Sequence, residues 1–213
     1  MFKKSSALIY IILAVSLICL FPSSSTAQIS EGGLPPSFGY TNLLKSSSSA
    51  VDIPVTFSVE DLKTVDAWNV SQGAPLKVAT LIPVQLSIEN SGNWILLPGG
   101  EQIWQLKIQA KDAIAINLYY NDFYIPEGGK LFIYNADHTQ IIGAYTHETH
   151  PKGGRFATEF VAGDDIILEY LAPDSGEKAR ISIEEVGYGY NHLSVVLTPR
   201  ATGEGASGSC NVN

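Results

Sequence analysis

Trp104-Gln105-Leu106-Lys107-Ile108-Gln109-Ala110 is the stretch that decides the fold class. Trp104, Leu106, Ile108 and Ala110 alternate with Gln105, Lys107 and Gln109, the period-two pattern of a strand with one apolar and one wet face. Ile114, Ile116 and Leu118 resume the period after Lys111-Asp112. Working outward, short runs rich in Val, Ile, Tyr and Phe at 55–59, 78–88, 131–134, 141–145, 156–160, 166–170 and 179–183 read as further strands. Pro83 should bulge the 78–88 run or place it at a sheet edge, because proline has no N–H to give a ladder. Between the runs stand explicit turn signals: Pro98-Gly99-Gly100, Pro126-Glu127-Gly128-Gly129, Gly153-Gly154, Gly163-Asp164-Asp165 and Pro173-Asp174-Ser175-Gly176. Only 59–67 carries a helical pattern, and that weakly. The spacing predicts an all-β domain over 51–198: an antiparallel two-sheet β-sandwich, jelly-roll-like, its strands mostly joined by hairpin-length turns. There is no internal repeat.

On the N-terminal side of that domain, 28–50 contains Gly32-Gly33, Pro35-Pro36 and four serines at 46–49 with no sustained period, and reads as an extended leader. Before it, Lys3 and Lys4 precede an uncharged apolar run at 7–21, then Pro22, serines and Ser25-Thr26-Ala27. This is the pattern of a secretory signal peptide over 1–27, cleaved between Ala27 and Gln28. The apolar run falls short of the roughly 20 residues that cross a bilayer. Cys19 lies between Ile18 and Leu20-Phe21 rather than the small residues that lipoprotein processing wants, so it belongs to the signal's apolar core. The chain is expected to be secreted, to the periplasm or the extracellular space.

Removing the signal leaves eleven of the thirteen basic residues against twenty-one acidic ones, and the formal charge moves from −8 to −10. Nucleic acid and anionic membrane, which bind through clustered Lys and Arg, are poor candidate partners. Cys210 is then the single cysteine, so nothing in the body of the chain is cross-linked and stability must come from a hydrophobic core. An odd cysteine in a secreted chain suggests a missing partner or a reactive thiol. Past Pro199, residues 199–209 are almost all Gly, Ala, Ser and Thr and read as a flexible connector. Arg200 stands at its entrance, the only basic residue after Arg180.

Four constellations invite a chemical reading. His147-Glu148-Thr149-His150, with His138 or Asp165 as a third ligand, could hold a metal, but zinc wants three or four ligands in tetrahedral geometry and these histidines sit in a polar turn. Asp164-Asp165 lacks the carboxylate spacing of a calcium loop and reads as a turn before the 166–170 strand. Ser, His and Asp all occur, but without a Gly-x-Ser-x-Gly or Gly-Asp-Ser-Gly elbow. Tyr119, Tyr120, Phe123 and Tyr124 would make a sugar platform only if they shared an exposed face, whereas alternation sends about half of them into the core. No catalytic residue, cofactor or metal is therefore expected within the chain.

From Gly32 onward the chain resembles the amino-terminal pro-region of bacterial lysyl endopeptidase-like, trypsin-fold serine proteases. The likeness is carried by Gly32-Gly33-Leu34-Pro35-Pro36-Ser37-Phe38, Trp104-Gln105-Leu106-Lys107-Ile108, Lys111-Asp112-Ala113 and Ile125-Pro126-Glu127-Gly128-Gly129-Lys130-Leu131-Phe132-Ile133-Tyr134. Gly143-Ala144-Tyr145-Thr146 and Gly163-Asp164-Asp165-Ile166-Ile167-Leu168-Glu169-Tyr170 continue it. The most specific match is Ser207-Gly208-Ser209-Cys210-Asn211-Val212-Asn213, similar to the start of the mature protease. The resemblance implies that 210–213 open a protease domain in which Cys210 pairs with a later cysteine. It also implies that the catalytic His, Asp and Ser lie beyond Asn213, leaving this chain without enzyme activity as a truncated zymogen front. The sandwich would assist folding of the protease or hold it inactive, and be released by cleavage between Arg200 and Ala201. No Lys lies in the connector, which departs from a lysine-specific maturation. Two other readings compete: an independent secreted module binding carbohydrate or protein, and a free-standing inhibitor acting on a separate protease.

Overall fold

Turn signals divide the chain into strands too short to bury a face alone, so they must pair into two facing sheets. A computed structural model describes residues 30–40 and 50–191. Its strands are β1 (Val51–Asp52), β2 (Ala79–Ser87), β3 (Asn93–Leu96), β4 (Gln102–Gln109), β5 (Ala115–Tyr124) and β6 (Lys130–Asn135). They continue with β7 (Ile141–Tyr145), β8 (Gly154–Ala157), β9 (Val161–Ala162), β10 (Asp165–Leu171) and β11 (Arg180–Gly189). One sheet runs β1-β4-β10-β6-β7, with β3 beside β4; the other runs β2-β11-β5-β8, with β9 beside β5. All pairs are antiparallel except β1 with β4.

Set aside the short β1 and β3 and take β8 with β9 as one interrupted strand. The remaining strands, in chain order, then lie first-eighth-third-sixth in one sheet and second-seventh-fourth-fifth in the other. That order is a jelly roll. The core lies between the sheets, where Trp104, Leu106, Ile108, Leu131, Ile133, Ile166, Leu168 and Tyr170 face Ile116, Leu118, Tyr120, Phe123, Ile181, Ile183, Val186 and Tyr188.

Several expectations need correction. Among the described strands, consecutive ones pair as hairpins only at β3–β4 and β6–β7; most short links instead cross from one sheet to the other. The 55–59 run is no strand. Ser58 accepts the Asp61 N–H and starts helix α1 (Val59–Ser71), with Glu60 and Asp61 at its positive N-terminal end. Val55, Phe57 and Val59 still pack on the core from this irregular backbone. The helix outruns the 59–67 expectation and ends where Gly73 turns left-handed at φ 88°. The 156–160 run is split, since 158–160 pair in no strand. In contrast, β11 runs well past residue 183, through an irregularity between Ile183 and Glu185. That irregularity lies opposite Pro83, and β2 is an edge strand, so proline finds both of the places expected for it.

Candidate functional site: a buried carboxylate beneath the leader

On the face of β4 expected to be wet, Lys107 and Gln109 are partly exposed but Gln105 is dry. Gln105 is 4 % exposed, and its cross-strand neighbour on β10, Glu169, is fully buried. A single strand explains how a carboxylate gets there. Ile166, Leu168 and Tyr170 point into the sandwich, so alternation throws Ile167 and Glu169 onto the outer face of a sheet whose middle strand is β10. Buried charge needs donors.

The leader supplies the cover. It pairs with the edge of β7, where Glu31 N–H donates to the Ala144 carbonyl at 3.0 Å and Ala144 N–H to the Gly32 carbonyl at 3.3 Å. It then turns through a 3-10 helix, η1 (Pro36–Gly39), whose first residues Pro36 and Ser37 follow Pro35 at φ −56°. Proline suits a helix start because its missing N–H would have no partner there. This turn drops Ser37 onto Glu169: the Ser37 N–H donates to Oε1 at 2.8 Å and its hydroxyl to Oε2 at 2.5 Å. Gln105 Nε2 and the Tyr134 hydroxyl donate to the same Oε2, each at 2.9 Å. Phe38 stacks on His138 at 4.3 Å and sits edge-on to Tyr134 at 5.1 Å. Phe132, Tyr134 and Ala144, flanked by Phe38, Ile141 and Ile167, form a second small apolar cluster on this outer face.

Four neutral donors thus meet one carboxylate. The ion pairs among the described residues, Lys107–Asp165, Lys130–Glu31, Arg155–Glu184 and Arg180–Asp122, all lie elsewhere. Burial, with the Glu169 charge beside it, pushes the Tyr134 phenol well above the usual tyrosine range, so it stays protonated and donating. The Ser37 hydroxyl donates directly to Glu169, and among the described residues no histidine is hydrogen-bonded to either. The cluster ties the leader to the sheet.

The other sequence-derived candidates disperse. His138 is in the aromatic stack and Asp165 pairs with Lys107 at 2.6 Å. His147 and Thr149 bound a second 3-10 helix, η2 (His147–Thr149), where His147 stands edge-on to Tyr124. Among the described residues no three His, Cys, Asp or Glu side chains converge. Asp164 serves the turn, accepting the Ala110 and Asp112 N–H groups. Of the four aromatics, Tyr120 and Phe123 are buried while Tyr119 and Tyr124 are half-buried, so they do not share one platform. Ala27, Gln28, Arg200, Ala201 and Cys210 lie outside the described residues. A depression of about 460 Å³ lies between Val55, Phe57, Val59, Lys111, Asp112 and Tyr188.

Glu169, Ser37, Gln105 and Tyr134 were each visible in the sequence without pointing to one another. A lone acid inside Ile166-Ile167-Leu168-Glu169-Tyr170 was the available signal, since an acid amid an apolar run is either at an edge or held by donors. No family model matches this chain, and no solved structure was found to match it.

Proposed function

We propose that this jelly roll is the secreted pro-region of a lysyl endopeptidase-like serine protease, exported by a signal peptide and acting on a trypsin-fold domain that it helps to fold or holds inactive. One observation carries the reading. The segments that bear the resemblance are far apart in the chain, yet five of them supply the leader clamp: Ser37 and Phe38, Gln105, Tyr134, Ala144 and Glu169 each come from a different one. Residues that match a family because they build one structural unit should meet in this way; a chance likeness would scatter over the surface. A jelly roll alone argues for nothing more specific, since the fold hosts many functions.

On this reading the sandwich carries no catalytic group of its own. The protease would be joined to it through 199–209 and freed by cleavage between Arg200 and Ala201. Reading the coding DNA beyond the Asn213 codon tests this. The expected result is an open frame encoding a partner for Cys210, a His-Cys segment and a Gly-Asp-Ser-Gly segment. A frame that continues into an unrelated domain, or no protease segment in any frame, would remove the reading and favour an independent binding module.

A further inference from the structure

Strand β2 is nine residues long and has β11 as a neighbour on one side only. Its other side is a sheet edge, and the hydrogen-bond register fixes which groups point there. Tyr190 N–H donates to the Val78 carbonyl, and Ile88 N–H donates to the Ile181 carbonyl. From the Tyr190 bond, antiparallel alternation turns the N–H and C=O of Thr80 and Ile82 toward β11. It turns those of Ala79 and Leu81, with the Pro83 carbonyl, toward the edge. Counted back from the Ile88 bond, the groups of Gln85 and Ser87 face the edge as well.

The two halves of that edge differ. Asn90 closes the second half with its side chain: Oδ1 accepts the Ser87 N–H at 2.8 Å and Nδ2 donates to the Gln85 carbonyl at 3.1 Å. The Ser87 carbonyl accepts the N–H groups of Asn90 and Ser91. Among the described residues no strand or side chain closes the half at 79–83 in this way. Its surface is apolar too. Ala79, Leu81 and Pro83 alternate with the buried Ile82 and so lie on the outer face of the sheet, where Leu81 is 46 % exposed and Pro83 is exposed. Beside Leu81 and Ala79, β11 carries Gly187 and Gly189, so no larger side chain stands next to them on that face. Unpaired backbone groups flanked by apolar side chains are a template for another strand.

We propose that this edge pairs with the same edge of a second copy of the chain, antiparallel, across a twofold axis at Leu81. In that register the two Leu81 residues exchange N–H···O bonds, and each Ala79 N–H donates to the Pro83 carbonyl of the other copy. Pro83 has no N–H, and here it only has to accept; the Ala79 carbonyl opposite it lies at the end of the ladder, within reach of water. An axis at Pro83 would set two residues without donors against each other and run the strands into the groups that Asn90 holds. On the outer face Leu81 meets its own copy between Ala79 and Pro83, so the one open segment is complementary to itself, as an isologous contact requires. A ladder this short belongs to the weak class of contacts, below about 1,200 Å² of buried surface. The inference stands without the pro-region reading.

Sedimentation velocity of the secreted chain from about 10 µM to about 1 mM tests it, with reductant present so that Cys210 cannot link two chains. The expected result is a monomer that gives way to a dimer across that range. Leu81→Lys, with unaltered far-UV circular dichroism, should stay monomeric because like charges would meet at the axis. Amide hydrogen exchange reads the register: the Ala79 and Leu81 amides should slow several-fold at the dimer concentration, while those of Thr80 and Ile82, bonded to β11, stay protected throughout. A chain still monomeric at about 1 mM would overturn the proposal. So would a dimer whose Leu81 amide exchanges as fast as the monomer's, or one that survives Leu81→Lys and dissociates in Trp68→Lys, which would move the contact to α1.

Discussion

Ser37→Ala isolates one bond of the leader clamp. The substitution keeps the Ser37 N–H on Glu169 Oε1 and removes only the hydroxyl donor to Oε2. A hydrogen bond to a charged group contributes about 1.5–3 kcal/mol. Gln105 and Tyr134 still donate to that oxygen, so the lower half of the range, about 1.5–2 kcal/mol, is the expected loss. With a urea slope of roughly 2 kcal/mol per molar, the midpoint should fall by about 0.7–1 M. Glu169→Ala is expected to be worse, about 3–5 kcal/mol, because it strands buried donors and opens a cavity. The assay is urea unfolding of the secreted chain followed by tryptophan fluorescence and far-UV circular dichroism, run as a double-mutant cycle. In the Glu169→Ala background Ser37→Ala should have almost no effect, giving a coupling of about 1.5 kcal/mol. A Ser37→Ala loss below about 0.5 kcal/mol, the size of an ordinary surface change, or the same loss in both backgrounds, would refute the reasoning.

Three further outcomes can be checked separately. A Cβ on Gly187 would lie 1.8 Å from the Oδ1 of buried Asn117, so Gly187→Ala should lower stability by about 1–3 kcal/mol, and adding Asn117→Ala should restore much of it in a thermal melt. Burial and then the bond to Asp66 push the Tyr190 phenol up to about 12, so its neutral form stabilises the fold in full below pH 10 and that contribution is lost as pH rises from 10 through 12. Tyr190→Phe should therefore destabilise at neutral pH by about 1.5–3 kcal/mol and flatten the alkaline limb of the stability curve measured between those pH values. Finally, Arg200→Gln in the full precursor should leave the pro-form uncut on an immunoblot of the secreted material; normal maturation would move the cleavage bond elsewhere.

Much of the fold was legible because the strands of a sandwich repeat a local rule. Alternation at 104–110 located β4 and its core face, and Pro83 announced an edge and a bulge that are both there. What failed was any inference that needed the third dimension. The pattern at 55–59 was that of a strand, but the Ser58 cap with Glu60 and Asp61 behind it turned the backbone into α1. β3 escaped notice because four residues after Gly92 are too few to display a period. The same limit hid the clamp. Gln105 and Lys107 look solvated in the sequence, but Gln105 is buried with its amide on Glu169, the acid that a leader some seventy residues earlier folds back to meet. Ser37 resembled one more polar residue in a proline-rich arm until Glu169 gave it a partner 132 positions away. Local pattern thus found the sheets, and long-range burial decided the site.

The pro-region reading turns on whether the sandwich changes the fate of a protease. The decisive measurement is the yield of active enzyme when the downstream protease domain is refolded alone and with the purified sandwich chain supplied in trans, followed by titration of the active enzyme with the same chain. The account predicts that the sandwich raises the refolding yield several-fold, or inhibits the active enzyme stoichiometrically, and that the Glu169→Ala chain does neither. A protease domain that refolds equally well alone and keeps its full rate at excess sandwich would contradict it.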